Sequence, residues 1–362
     1  MMAYDIVCVV TNDITYDRRM IRTCDTLAKE GKKVLIIGRE IPGRSYHDNF
    51  LFDTYRLICE KNSGPLFYKE ILDRAHRHLK RISYTDLLLT DYDTILLARL
   101  QRGKARRIYL DLHEYFEHTP ELSGNQIKKS IWKMAAQIGQ AKCDVIYTVN
   151  DSLAGFYSER FNRDVKVIFN VPEKKTLAEG NETSVETDII NTVYLGALNP
   201  GRGLEEIIQA IQQAEGFHLT IIGDGPLLKS LQDMVDDPSK VHFTGMAKPE
   251  ELPSLLTGKD FGWNLLEVNS KSYYYSLANK FFDYVHHGVP VVTMDFPEYS
   301  RILFEHSCGK TLSELSVPAV SDLLQFVSRD REHLRKWKEA CPQVAAKYNW
   351  ELESEKLIEL FS

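Results

Sequence analysis

Short β-branched runs alternate with longer helical stretches along this chain, and they do so in two series. In the first, Asp5–Val10 (DIVCVV) reads as a buried strand, residues 17–30 as a helix ended by Gly31, and Lys33–Gly38 (KVLIIG) as the next strand. Further strands are expected at Asp93–Leu97, Arg107–Leu110, Val145–Val149 and Val165–Phe169, with helices between them. A polar stretch, Pro172–Asp188 (PEKKTLAEGNETSVETD), then interrupts the alternation and reads as an exposed connection. Beyond it the pattern restarts. Strands are expected at Asn191–Leu195, His218–Ile222, Val241–Phe243, Phe261–Leu265 and Val289–Met294. Helices fall at Leu204–Ala214, Pro226–Val235, Pro249–Leu256 and residues 277–287. The alternation predicts an α/β protein with two doubly wound, Rossmann-like parallel sheets facing each other across a cleft.

Composition narrows the picture only a little. At 362 residues, with 43% hydrophobic and 27% charged positions, the chain has ordinary globular usage and suits two domains. Its longest apolar runs fall far short of the ~20 residues that span a bilayer, and the amino terminus shows no basic region or cleavage site, so no export signal is expected. Six scattered cysteines without C-x-x-C spacing fit reduced thiols in a cytoplasm and give no zinc site. Charge is more informative. The net charge of -6 hides an asymmetry: residues 1–175 hold 29 Lys+Arg and 23 Asp+Glu, the remainder 16 and 28. The basic half either favours an anionic partner or simply has a different surface. The basic stretches Lys69–Arg81 and Arg102–Arg107 carry the same pair of readings: phosphate or anionic lipid, or solvated helix faces.

Ligands of open parallel sheets bind beyond the carboxyl ends of the strands, where helix N-termini offer free amides. The first such loop, Thr11–Arg19, holds Asn12 and Asp13 and puts Arg18 and Arg19 at a helix start, against the macrodipole. An anion would reconcile those charges, as would solvation or pairing with Asp13 and Asp17. The loop after Leu110 presents Asp111, His113 and Glu114, candidates for acid, base or hydroxyl recognition. In the second half, Gly196–Gly203 (GALNPGRG) sets Arg202 between glycines, which suits a cation reaching a phosphate or a plain surface arginine. Gly223-Asp-Gly225-Pro226 is a glycine turn at another strand end. Ser276-Leu-Ala-Asn279-Lys280-Phe-Phe-Asp283 places Lys280 and Asp283 on one helix face, where they grip a nucleotide or form a surface ion pair.

Together these pieces resemble retaining glycosyltransferases of family 4, the group-1 type with the GT-B fold, over nearly the whole chain. The resemblance rests on the order and spacing of TNDITYDRRMIRTCDTLAKEGKKVLIIGR, YLDLHEYFEHTPEL, FNVP, YLGALNPGRGLEEIIQA, IIGDGP, VHFTG, LANKFFDYVHHGVPVV and the closing Tyr348-Asn-Trp350-Glu. It implies an acceptor-side domain over 1–172, a linker over 173–188, a nucleotide-sugar-binding domain over 189–345, and a terminal helix over 346–362 that crosses back to the first domain. It also implies roles for individual residues. Arg202 takes the place of the lysine on the donor diphosphate, Asp283 that of the ribose carboxylate, and His113 that of the histidine near the donor sugar. Arg202, Lys280 and His113 are the expected catalytic groups, and Gly196, Gly223, Gly225, Ser276 and Asn279 complete the donor site. Asn12, Asp13, Arg18 and Glu114 fall on the acceptor or phosphate side. The chain departs from the family at Ala197, where an arginine is common, and at Tyr275, where the first glutamate of Glu-x7-Glu would stand. Lys280 is read as compensating for the missing phosphate cation.

The implied reaction is front-face transfer of a sugar from a UDP- or GDP-linked donor, with no bound metal and no cofactor. The acceptor is expected to be a lipid-linked saccharide in bacterial surface polysaccharide assembly, handled in the cytoplasm with peripheral contact at the inner membrane leaflet. No nucleic-acid partner is expected. Two alternatives stand beside this reading. One is a nucleotide-sugar epimerase of the same fold; the other is a non-catalytic nucleotide- or partner-binding subunit, which Ala197 and Tyr275 would favour.

Overall fold

The computed structural model describes residues 3–41, 43, 49–118, 126–174, 188–248, 250–268 and 271–362. The chain divides into two compact units, one holding the residues up to Asn170 together with Glu353–Ser362, the other Val171–Leu352. Of the expected linker 173–188, residues 175–187 lie outside the described residues.

The first unit is built on seven strands: β1 (Ala3–Asp13), β2 (Val34–Glu40), β3 (Asp53–Ile58), β4 (Ser83–Thr90), β5 (Arg107–Leu112), β6 (Val145–Thr148) and β7 (Lys166–Val167). They lie in the order β3-β2-β1-β4-β5-β6-β7, every pair parallel. Parallel strands need crossover helices on both faces, so the central ones are buried twice over and read as unbroken apolar runs. Ile6–Val10 and Leu87–Leu89 are such runs, with hardly any exposed surface. The order reverses between β1 and β4, which opens a crevice at their carboxyl ends. The chain's last residues complete this unit: Phe361 stacks on Tyr109 with ring centres 4.0 Å apart, and Glu353 Oε2 accepts the Phe169 amide at 2.8 Å.

The second unit holds β8 (Ile190–Leu195), β9 (Phe217–Ile222), β10 (Val241–Gly245), β11 (Phe261–Asn264), β12 (Val291–Met294) and β13 (Gly309–Leu312). Their order is β10-β9-β8-β11-β12-β13, again all parallel, with the reversal between β8 and β11. The core is aromatic: Trp263, Phe261, Phe281, Phe282, Tyr194 and Tyr284 are fully buried. Tyr284 bridges the reversal, its hydroxyl accepting the Leu195 amide at 2.7 Å.

One expected strand is wrong. Asp93–Leu97 is helical, part of the short helices Asp91–Thr94 and Leu96–Gln101, and the strand that enters this loop is β4. The run Ile95–Ala98 is apolar throughout, with Ile95, Leu97 and Ala98 buried, so it shows no polar position to betray a helical period, and apolarity alone cannot separate it from a strand. What bends it back is the loop itself, where Asp91 adopts φ +56° and the Tyr84 hydroxyl donates to Gln101 Oε1 at 2.8 Å. The strand expected at Val165–Phe169 is narrower, reduced to the two residues of β7.

Candidate functional site

In the second unit the loops after β8 and β9 are pressed together beside the reversal. Gly196 (φ +130°) donates its amide to Ile222 O at 2.9 Å, and Leu198 donates to Asp224 O at 3.0 Å. A Cβ on Gly223 (φ +151°) would stand 1.9 Å from the Gly196 oxygen, and one on Gly225 would stand 2.7 Å from the Leu198 backbone. These glycines are therefore required by loop against loop, before any ligand is considered. Gly203, at φ +70°, starts the helix Leu204–Gln213, and a Cβ there would meet Leu265 at 2.8 Å.

Two cations emerge beside this knot. Lys280, in the first turn of the helix Asn279–Val285, holds its ammonium 3.8 Å from the centre of the Tyr194 ring. Arg202 holds its guanidinium 5.1 Å from the centre of the Tyr273 ring. Both are half-buried. Burial, and then the charge of Arg202, pushes the Lys280 amine well below its ordinary range. Among the described residues neither cation has a carboxylate partner, and the Arg202 Nε is buried without a hydrogen bond. The alternative of a simple Lys280–Asp283 ion pair is therefore not what forms. Burial also pushes the Tyr194 phenol up to about 12, against the pull of Arg202, and its hydroxyl donates to the Ala197 carbonyl at 2.9 Å. Each of the two side chains lies over an aromatic face that supplies some negative potential, and an anion bound beside them would favour the charged form of both.

In the first unit the reversal between β1 and β4 gathers a charged cluster. Asp111, fully buried near the end of β5, receives two hydrogen bonds from Arg19, from Nε to Oδ2 and from Nη2 to Oδ1, both 2.8 Å. Burial alone would raise this carboxyl, but Arg19 and His113 hold it at about 2. His113 stands between two acids: Nδ1 is 3.4 Å from Asp91 Oδ2 and Nε2 is 3.1 Å from Asp111 Oδ2. Its own amide donates to Asp91 Oδ1 at 2.7 Å. Burial opposes the imidazolium, yet Asp91 and Asp111 raise it to about 9. Asp91 is pushed up to about 6 and Asp93 to about 7, each chiefly by burial. Thr11 Oγ1 donates to Asp93. Among the described residues no three His, Cys, Asp or Glu side chains form a metal-holding group.

With this geometry in place, comparison with known proteins becomes informative. Residues 190–325 match the family model of glycosyl transferases group 1. Among solved structures, sucrose-phosphate synthase from Thermosynechococcus elongatus is 14% identical and superposes with a TM-score of 0.76, covering 99% of this chain and 98% of its own. HepE from Anabaena, in complex with UDP and glucose, is 12% identical with a TM-score of 0.71, covering 99% of each chain. WaaG, a glycosyltransferase involved in lipopolysaccharide biosynthesis, is 13% identical with a TM-score of 0.71 over 99% of each chain. The chain has the GT-B fold. No curated protein sequence matches it.

Within the second unit Gly196, Gly223 and Lys280 come together, while some of the other expected donor residues have different jobs from those the sequence suggested. Lys280 adjoins Gly196, whose Cβ position lies 3.4 Å from the Lys280 amine. Asp283 lies three residues further along the Lys280 helix, half-buried. Asn279 is exposed. Ser276, expected in the donor site, already uses its amide and hydroxyl, both of which donate to Tyr273 O, and the nearby Ala278 amide donates to the Tyr299 hydroxyl at 2.9 Å.

On the first unit the residues expected on the acceptor side serve mostly the loop. Asn12 holds Asp17, which caps the helix Arg18–Lys29 through the Met20 amide. Asp13 accepts from the Thr15 amide at 3.1 Å and lies 3.5 Å from Arg56. Glu114 and Arg18 are exposed, and the Glu114 carbonyl is fixed by the Tyr157 hydroxyl at 2.6 Å. Arg19 does not oppose the macrodipole unaided; its charge is neutralised by Asp111. Asp91 and Asp93 were not among the expected site residues, because Asp91-Tyr-Asp93 was read as the entry to the strand expected at Asp93–Leu97. Tyr194 and Tyr273 were missed for want of any sequence pattern pairing a ring with a distant cation.

Proposed function

We propose that the chain is a retaining, metal-independent glycosyltransferase that moves a sugar from a UDP- or GDP-linked donor to a lipid-linked saccharide, in bacterial surface polysaccharide assembly at the cytoplasmic face of a membrane. The observation that carries the reading is the pair Arg202 and Lys280, two partly dehydrated cations without a carboxylate partner, in a segment that matches glycosyl transferases group 1. Solved structures of HepE with UDP and with UDP-glucose, at 12% identity, support a nucleotide-sugar donor.

Breaking the bond between the anomeric carbon and the donor phosphate leaves negative charge on the diphosphate. Preorganised cations stabilise that charge as it develops, which is where catalysis is most effective. Arg202 and Lys280 take this part, and Asp283 accepts hydrogen bonds from ribose hydroxyls. The acceptor hydroxyl bonds to the anomeric carbon on the side the phosphate leaves, and its proton passes to the departing phosphate. His113, whose two ring nitrogens face Asp91 and Asp111, is held as imidazolium and contributes its positive charge near the donor sugar; it is not a base.

The test is thermal stabilisation by a panel of nucleotides and nucleotide sugars, since a ligand that binds only the folded state stabilises it by about 2.7 kcal/mol at a hundredfold excess over Kd. Stabilisation by one nucleotide series, followed by sugar transfer to a lipid-phosphate acceptor, supports the reading. A flat response across the panel sinks it.

A further inference from the structure

Lys280 is seated on a ring, and the ring is itself held in place. Tyr194, in β8, is fully buried, and its hydroxyl donates to the Ala197 carbonyl at 2.9 Å, which fixes the tilt of the ring. Lys280 reaches that ring from the helix Asn279–Val285, whose position is set one turn later by Tyr284. A Cβ on Gly262 would stand 2.6 Å from the Tyr284 ring, so only glycine in β11 leaves room for it. The Tyr284 hydroxyl accepts the amide of Leu195, the neighbour of Tyr194, at 2.7 Å. The strand that carries the ring is thus tied to the helix that carries the amine. The ammonium comes to rest 3.8 Å from the Tyr194 ring centre, and a Cβ on Gly196 would touch it at 3.4 Å.

A ring as partner has a chemical consequence. A carboxylate would neutralise the amine, and an incoming anion would have to displace it. An aromatic face attracts the ammonium through its quadrupole yet carries no net charge, so the positive charge stays available to a ligand on the other side. A lysine already ordered in this way loses less side-chain entropy when an anion binds.

We propose that Tyr194 is a positioning residue for the diphosphate of the donor: its ring fixes the Lys280 ammonium and leaves the charge free to meet phosphate. This rests on the nucleotide-sugar reading and deepens it, by giving an uncharged, buried side chain a part in holding the phosphates.

The experiment compares Tyr194→Phe and Tyr194→Leu by calorimetry with UDP and GDP, using uridine and guanosine as controls. Phe keeps the ring and should retain most of the diphosphate affinity. Leu removes it and should weaken the diphosphate by about fivefold or more, with the nucleoside bound as before. In a Lys280→Met background the same Tyr194→Leu change should cost less than about twofold, because the ring acts through the amine. Equal losses in both backgrounds, equal losses for nucleoside and diphosphate, or an undiminished diphosphate affinity in the Leu variant overturn the proposal. Because Tyr194 lies in the core, a shape-preserving series guards against a folding defect. Phenylalanine and its mono- and trifluorinated analogues at position 194 withdraw charge from the ring face at nearly constant volume, and diphosphate affinity should fall stepwise along them; a flat series overturns the role.

A readout without nucleotide separates this proposal from the donor reading. In protein labelled at the lysine ε carbon, the Lys280 signal, identified by its loss in Lys280→Met, should be displaced from the other lysines by the Tyr194 ring current. Tyr194→Leu should return it to them. A signal that lies among the others from the start overturns the proposal whatever binds. A displaced signal in a protein that binds neither UDP nor GDP overturns the donor reading, and the phosphate role with it, while the seat of Lys280 on the ring stands.

Discussion

The Lys280 ammonium, 3.8 Å from the Tyr194 ring centre and repelled by Arg202, is the least comfortable charge in the second unit. Its lowered proton affinity means that a bound diphosphate must raise it again. Above the pH at which free Lys280 begins to lose its proton, binding of the nucleoside diphosphate should therefore take up protons, a quantity read from calorimetry in buffers of different ionisation enthalpy. Lys280→Met should abolish that uptake and weaken the diphosphate by about tenfold or more, as loss of a charge-assisted contact does, while the parent nucleoside binds as before. Equal loss for nucleoside and diphosphate would mean the lysine shapes the pocket and does not hold phosphate. His113 poses the opposite case. Its folded pKa of about 9 lies above its ordinary 6.5, so its contribution to stability is complete below about 6.5 and is lost as pH rises through about 9. Asp91→Asn keeps an oxygen for the His113 amide but removes the charge, and should lower the imidazole midpoint by about one unit or more. A midpoint still near 9 in an NMR titration would show that Asp111 alone holds the proton. His113→Ala, in turn, should lower turnover more than donor affinity; unchanged turnover would make His113 structural.

At the level of elements, the glycine knot between the loops after β8 and β9 has a measurable signature. Gly223→Ala forces a Cβ to within 1.9 Å of the Gly196 oxygen at φ +151°, so the loops must part. Gly258→Ala, at φ +74° with nothing within 4 Å, bears backbone strain alone. Urea unfolding should show about 1 kcal/mol lost for Gly258→Ala and clearly more, about 2–4 kcal/mol, for Gly223→Ala. Equal losses would mean the knot yields. The same elements show what a sequence can disclose. β1, β2, β8, β9 and β12 were legible because parallel strands buried on both faces are short continuous apolar runs bounded by turn residues. Leu96–Gln101 was not, because its apolar start, Leu96–Ala98, continues the run from Ile95 and is too short to show the period that tells helix from strand. The glycine- and cation-bearing loops at strand ends were legible, but the partners of their side chains were not. That Tyr194 would lie under Lys280, or that Asp91 would meet His113, depends on which strands become neighbours, and neighbours in a parallel sheet are set by long crossovers.

For the molecule as a whole, the division of the chain into two units is uneven at its end, because Glu353–Ser362 belongs with the first unit although the preceding residues belong with the second. Those ten residues supply the Phe361 ring over Tyr109, the Glu353 carboxylate on the Phe169 amide, and the Ser362 carbonyl that receives Arg107 at 2.7 Å. Tyr109 sits in the middle of β5, two residues before Asp111 and four before His113. Removing residues 353–362 should therefore uncover one face of β5 and loosen the cluster of Arg19, Asp111 and His113, while the second sheet keeps all of its own partners. Local opening follows the contacts that are lost, so amide exchange should accelerate in β4, β5 and β6 and remain slow in β8, β9 and β11. Nucleotide stabilisation, if it resides in the second unit alone, should survive the truncation even as activity disappears. Acceleration spread evenly over both sheets would show instead that the two units unfold as one, and that the terminal helix stabilises the whole chain and not a single half of it.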